Sequence, residues 1–160
     1  MSHANFMSTV DSFEEVIADI TLFLQDKGIL KSPAKYTKGN ELRYRIQGNT
    51  FILKLFDKNN LIETRMASWN LQQLPGCCGV CLSTDARVEL AFQAKGIGKC
   101  LNKARIRMAQ LQGYGSIQCT VLSDNKPQLK ILVDNGWECI NTFTNPKTKN
   151  KINLFVKNLS

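Results

Sequence analysis

Histidine is almost missing from this chain: of 160 residues only His3 is one, too little for a metal site built on imidazole. Long apolar runs are missing as well. The longest stretches, such as Phe51-Ile52-Leu53 and Ile131-Leu132-Val133, fall far short of the roughly 20 residues that a membrane-spanning helix needs. Residues Met1 to Val10 show no basic segment followed by an apolar stretch and a small-residue cleavage site, so no secretion signal is read and a cytoplasmic location is expected. Internal repeats, low-complexity tracts and long linkers are also lacking, so the chain reads as a single domain over residues 1–160.

Six cysteines are present, three of them in Cys77-Cys78-Gly79-Val80-Cys81. That cluster resembles half of a zinc site, but Cys100, Cys119 and Cys139 stand singly and four ligands are wanted. No metal is therefore expected, and the cysteines read as reduced, small residues buried on strands. Charge is the stronger signal. Lysine and arginine number 21 against 13 aspartates and glutamates, a net charge of +8 that favours an anionic partner. Nucleic acid, an acidic protein surface and the phosphates of a cofactor all fit.

Hydrophobic spacing predicts the elements. Phe13, Val16, Ile17, Ile20, Phe23 and Leu24 share one helical face, with Asp11 or Ser12 as N-cap and Gly28 as the stop. Glu41 to Gln47 and Thr50 to Phe56 flank Gly48-Asn49 as a hairpin does, and Ile62 to Leu71 predicts a weaker strand. A further strand is expected from about Cys78 to Leu90. Its even positions Val80, Leu82, Ala86, Val88 and Leu90 are mostly apolar, and its odd positions Ser83, Asp85, Arg87 and Glu89 polar, so the odd face reads as wet or functional. Ile97, Leu101, Ala104, Met108 and Leu111 mark an amphipathic helix, followed by a buried strand from Ile117 to Leu122. A short helix from Lys126 to Asn135, capped from Ser123-Asp124-Asn125 and stopped by Gly136, precedes strands over Trp137 to Thr142 and Ile152 to Lys157. This alternation predicts an α/β fold, a mixed sheet with helices packed on it.

A strand, a glycine turn and a helix in succession make a phosphate-binding device, because glycine permits close approach and the helix start presents unpaired N–H groups. Here that segment is Gln93-Ala94-Lys95-Gly96-Ile97-Gly98-Lys99. Gly-x-x-x-x-Gly-Lys-Ser/Thr is absent, and Leu101 stands where a dinucleotide fingerprint needs its third glycine. An anion other than a nucleoside triphosphate or NAD is expected.

Gln93-x-x-Gly96-x-Gly98 between strand and helix resembles the coenzyme A motif of the GNAT N-acetyltransferases. The segment Cys119-Thr120-Val121-Leu122-Ser123-Asp124-Asn125 is similar to that family's fifth strand and its asparagine, and Leu129 to Trp137 to the helix that follows. The likeness runs from about Gly79 to Leu159. It implies a mixed central sheet flanked by helices, with a splay between the fourth and fifth strands. Residues 79–159 would then bind acetyl-CoA and residues 1–78 would face the acceptor. Val88 and Leu90 would pair with the pantetheine arm and offer a backbone N–H to the thioester carbonyl. Ala94, Lys95, Gly96, Ile97, Gly98 and Lys99 would hold the pyrophosphate, with Gln93 on the phosphates or nearby backbone and Asn125 on the pantetheine or bracing the splay. The family's tyrosine, four residues before the Gly-aromatic pair, is Leu132 here, which removes the usual proton donor.

The expected reaction is direct transfer to a primary amine of a small molecule or protein. The +8 charge keeps a nucleic-acid-borne amine open as acceptor, and Leu132 a binding module without catalysis. Glu89 and Asp85, on the polar face before the glycine loop, are the candidate general bases, although Arg87 between them also fits a surface ion-pair row. Tyr114 is another hydroxyl in range of the sequence, and Trp69 and Phe143 are candidates for lining the acceptor groove. Nothing in the sequence sets the oligomeric state between monomer and homodimer.

Overall fold

The computed structural model describes residues 13–160, so His3 and the expected N-cap at Asp11 or Ser12 lie outside the described residues. Helix α1 (Phe13–Asp26) buries Phe13, Val16, Ile20 and Leu24 along the predicted face. It ends before Gly28, whose φ of +72° lets Ile29 and Leu30 donate back to the Leu24 carbonyl.

Four strands then run as an antiparallel meander: β1 (Asn40–Gln47), β2 (Thr50–Asp57), β3 (Ile62–Leu74) and β4 (Cys77–Val88). The β1–β2 hairpin turns at Gly48-Asn49 as its sequence predicts. Strand β3 is longer than predicted because Gln72 and Gln73 continue the ladder opposite Leu82 and Cys81, which satisfies their backbone although their side chains look like a loop. Phe51 anchors this half of the core, stacked between Tyr44 and Trp69 with Phe13 edge-on. Each such buried aromatic contributes about 1.5–3 kcal/mol.

Helix α2 (Ile97–Leu111), β5 (Ser116–Leu122), α3 (Lys126–Asp134), β6 (Glu138–Thr144) and β7 (Lys151–Asn158) complete the chain. Among the described residues the seven strands form one sheet in the order β1-β2-β3-β4-β5-β7-β6. Helix α2 packs against α1, α3, β4 and β5, so the cluster under the sheet is continuous from Phe13 to Phe155. Strand β5 is buried on one face only, through Ile117, Cys119 and Val121, and not on both as a buried strand would be.

The sheet has one opening. Strands β4 and β5 are parallel and paired only at Val80↔Ser116, Cys81↔Ile117 and Leu82↔Gln118, whereas β5 stays paired with β7 as far as Leu122↔Ile152. Past Leu82, β4 keeps its β3 neighbour and has no strand on its other edge among the described residues. This is the predicted splay between the fourth and fifth strands.

Candidate functional site

Strand β4 bends where it leaves β5. Asp85 and Ala86 together oppose Trp69 alone, between the pairs Asn70↔Thr84 and Ser68↔Arg87, and Asp85 has φ +53°. A bulge of this kind shifts the side-chain alternation by one residue. The odd positions Cys81 and Ser83 are consequently buried before the bulge, while Arg87 is exposed beyond it. The sequence reading of one uniformly wet odd face is corrected accordingly.

The strand stops at Val88, not at Leu90. Glu89 donates its N–H to the Met66 carbonyl, and Leu90–Phe92 form a single 3-10 turn in which the Leu90 side chain is 83% exposed. Leu90 therefore offers no strand edge. Val88 does, because alternate residues of a strand face opposite neighbours. With Glu89 turned toward β3, Val88 faces the opening, and its carbonyl accepts from Gln93 Nε2 at 2.8 Å. Gln93 thus ties the glycine loop to the end of β4.

Beyond Gln93 the backbone enters the left-handed region twice, at Ala94 (φ +60°) and at Gly96 (φ +76°), the N-cap of α2. Such alternation turns successive N–H groups toward one concavity, a backbone anion cradle. Among the described residues no side chain caps α2, and no acidic residue occupies its first turn, so the N–H groups there keep their capacity for a ligand. Gly98 is set by packing: a Cβ there would come within 3.0 Å of Ile131 Cδ1 on α3.

Two clefts open along the splay. The first, about 510 Å3, is lined by residues that include Val88, Gln93, Ala94, Gly98, Asn125 and Ile131. The second, about 440 Å3, lies between Thr84, Asp85 and Ala86 on β4 and Cys119 to Leu122 on β5. Asn125 lines both and caps α3, its side chain accepting from the Gln128 N–H at 3.3 Å. Of the candidate cofactor residues, Val88, Gln93, Ala94, Gly98 and Asn125 share the first cleft. Gly96, Ile97 and Lys99 stand at the adjoining helix start, where Ile97 is buried in the core and Lys99 reaches toward Asp134 at 3.9 Å. Lys95 belongs to the loop before it.

The candidate bases separate. Asp85 lies at the bulge in the wall of the second cleft, its carboxylate accepting from Asn70 Nδ2 at 3.2 Å. Glu89 follows the strand, lines neither cleft, and pairs with Arg87 Nε at 3.6 Å. Leu132 is fully buried in α3, and Tyr114 is packed at the core edge, where burial raises its pKa. Trp69 is a core residue that also lines the first cleft, whereas Phe143 lies half-exposed on the edge strand β6. Burial pushes the Cys81 thiol up to about 12, so it holds its proton at neutral pH.

Sequence periodicity missed Asn102 and Arg105. Both are buried on α2, where Arg105 lies one turn after Leu101 and, three residues on, one turn after Asn102. Two polar residues within an apolar stripe were the available signal. Asn102 Oδ1 accepts from Trp137 Nε1 at 2.9 Å and from Asn135 Nδ2 at 3.1 Å, which locks the end of α3 onto α2.

No protein-family model matches this sequence, and no curated protein matches it. Solved structures do. A protein assigned as a phosphinothricin N-acetyltransferase superposes with a TM-score of 0.56 at 18% identity, covering 70% of each chain. The ribosomal-protein alanine N-acetyltransferase of Escherichia coli gives 0.55 at 14%, covering 74% of this chain and 70% of that one. YncA of Salmonella typhimurium, assigned as an acetyltransferase and solved with acetyl-CoA, gives 0.56 at 14%, covering 69% and 65%. At these identities the likeness defines the fold, that of the GNAT acetyltransferases.

Proposed function

We propose that this chain, which has the GNAT fold, transfers an acetyl group from acetyl-CoA directly to a primary amine. The observation that carries the reading is the free edge of β4 past Leu82, set beside the uncapped start of α2 with its two left-handed residues. An extended arm fits the first and a pyrophosphate the second. Gln93 braces the loop between them, and Asn125 closes the far wall.

In the reaction a neutral amine forms a bond to the acetyl carbon, the thioester C–S bond breaks, and the amine's surplus proton is lost as the thiolate gains one. A lysine-type amine has a pKa near 10.4, so about one in two thousand is neutral at pH 7 and a base assists. Position favours Asp85 over Glu89 for that role, because Asp85 lines the second cleft and Glu89 lines neither. The Val88 N–H supports the developing oxyanion. Leu132 offers no proton to the thiolate, so water serves on this reading.

Acetyl-CoA should raise the melting temperature, since a ligand specific for the folded state adds about 2.7 kcal/mol at a hundredfold excess over Kd. ATP should add much less. An unchanged melting temperature at millimolar acetyl-CoA removes the cofactor assignment. Free-thiol release against an amine panel then tests transfer: binding without release identifies an inactive acyl-CoA module, the reading that Leu132 permits. An acceptor carried on nucleic acid would instead show binding that weakens steeply with salt.

A further inference from the structure

Arg105 projects from the middle of α2 into the fork of the splay. It is 5% exposed and lines both clefts, and its hydrogen bond among the described residues is Nη1 to Ser83 Oγ at 3.0 Å. Ser83 and Cys119 are the first residues past the last β4–β5 pair, so the guanidinium sits where the strands part. No carboxylate lies within ion-pair distance among the described residues. The titratable groups that act on it are the thiols of Cys119 and Cys81, which burial raises to about 11 and about 12, leaving them neutral. A buried cation without a counter-charge is costly unless something supplies one.

Its neighbours are short of acceptors too. Trp69 Nε1 and Asn102 Nδ2, on residues that line the first cleft with Arg105, are buried without a hydrogen-bond partner among the described residues. The Asn102 amide is oriented by the two donors on its Oδ1, so its NH2 is the orphan. Two donor atoms on residues lining this cleft thus lack an acceptor, and Arg105 beside them carries a full charge. The missing group is therefore an anion rich in acceptors, and a planar carboxylate matches the guanidinium fork. The anion cradle at the start of α2 is a separate place, eight residues and about 12 Å along the helix.

Resting on the acetyl-transfer reading, we propose that Arg105 binds a carboxylate on one of the two reactants. That carboxylate belongs either to a dicarboxylic acyl group on coenzyme A or to an acceptor amine of the amino-acid type.

Calorimetric titration of the wild-type protein separates the sources. One arm compares malonyl-CoA and succinyl-CoA with acetyl-CoA and butyryl-CoA. The other compares amino acids with amines of the same side chain lacking the carboxylate, with and without CoA. In one arm the carboxylate-bearing member should bind at least about tenfold more tightly. Arg105→Met should abolish that preference and leave CoA affinity within about threefold, with Arg105→Lys, which keeps the charge but loses the fork, in between. Lack of preference in both arms overturns the proposal by the wild-type protein alone, even if a variant fails to fold. Turnover that falls equally with every substrate in Arg105→Met, at unchanged binding, also overturns it, because the charge would then serve the reacting centre. Absence of binding by CoA and all its thioesters overturns the acetyl-transfer reading together with this one, whereas acetyl-CoA binding without a carboxylate preference overturns this one alone.

Discussion

A carboxylate can take a proton from an incoming amine only from within reach of the cleft, and that requirement divides Asp85 from Glu89. Asp85→Asn should lower turnover by roughly 10² to 10⁴ and leave acetyl-CoA affinity near wild type. The defect should shrink as the pH approaches the amine's own pKa, where the acceptor is neutral without help. Glu89→Gln should cost at most about 1 kcal/mol of stability and leave turnover almost intact, since it removes one exposed ion pair with Arg87. Steady-state rates of both variants between neutral and alkaline pH decide the matter, and a Glu89→Gln enzyme as slow as Asp85→Asn would return the role to Glu89. Gly98→Asp combines two insults. Its Cβ would crowd Ile131, and its charge would oppose a phosphate at the helix start. Loss of the acetyl-CoA thermal shift is the expected result; full affinity in that variant would reduce the loop to a structural turn.

At the scale of elements, the site depends on how two helices begin. Helix α2 starts from Gly96 with no capping side chain among the described residues, which leaves its first N–H groups open to a ligand. Helix α3 begins from Asn125, whose side chain caps it. Asn125→Ala should therefore destabilise the fold by about 0.5–2 kcal/mol, toward the low end because the cap bond is long at 3.3 Å. It should also weaken acetyl-CoA binding, as Asn125 lines both clefts. Urea unfolding and calorimetry read the two effects separately, and a variant of unchanged stability would show that α3 is held by Leu132 and the Asn102 network alone.

Over the whole molecule, the exposed carboxylates with the clearest shifts all move one way. Arg43 holds Glu41 below its ordinary 4.5, Lys54 does the same for Glu63, the Asn59 N–H lowers Asp57 from 3.8, and Lys130 lowers Asp134. A folded-state pKa below the unfolded one gives stability that is present above the unfolded value and lost as the pH falls through the folded one. Stability should accordingly hold above about pH 4.5 and decline as the pH falls below it, first through the two glutamates and then through the two aspartates. The decline should be gradual, each contribution being small at an exposed site. Melting temperatures across that range test the sign, and a melting temperature that rises on acidification would reverse it.

Local chemistry was legible in the sequence. The face of α1, the Gly48-Asn49 hairpin, the strand, glycine turn and α2 in succession, and the Asn125 cap depend on spacing, caps and turns within a few residues. So did the likeness that pointed to a splayed mixed sheet. The tertiary structure decided whatever depends on a neighbouring strand. Pairing with β4 extended β3 through Gln72 and Gln73, which no side-chain pattern announces. The bulge opposite Trp69 reversed which side of β4 is buried, because two residues met one across the ladder and alternation cannot count a residue gained there. Arg105 is one of 21 basic residues, and nothing in its charge set it apart. Only the parting of β4 from β5 beyond Leu82 set it, buried and without a counter-charge among the described residues, at the point where the two clefts meet.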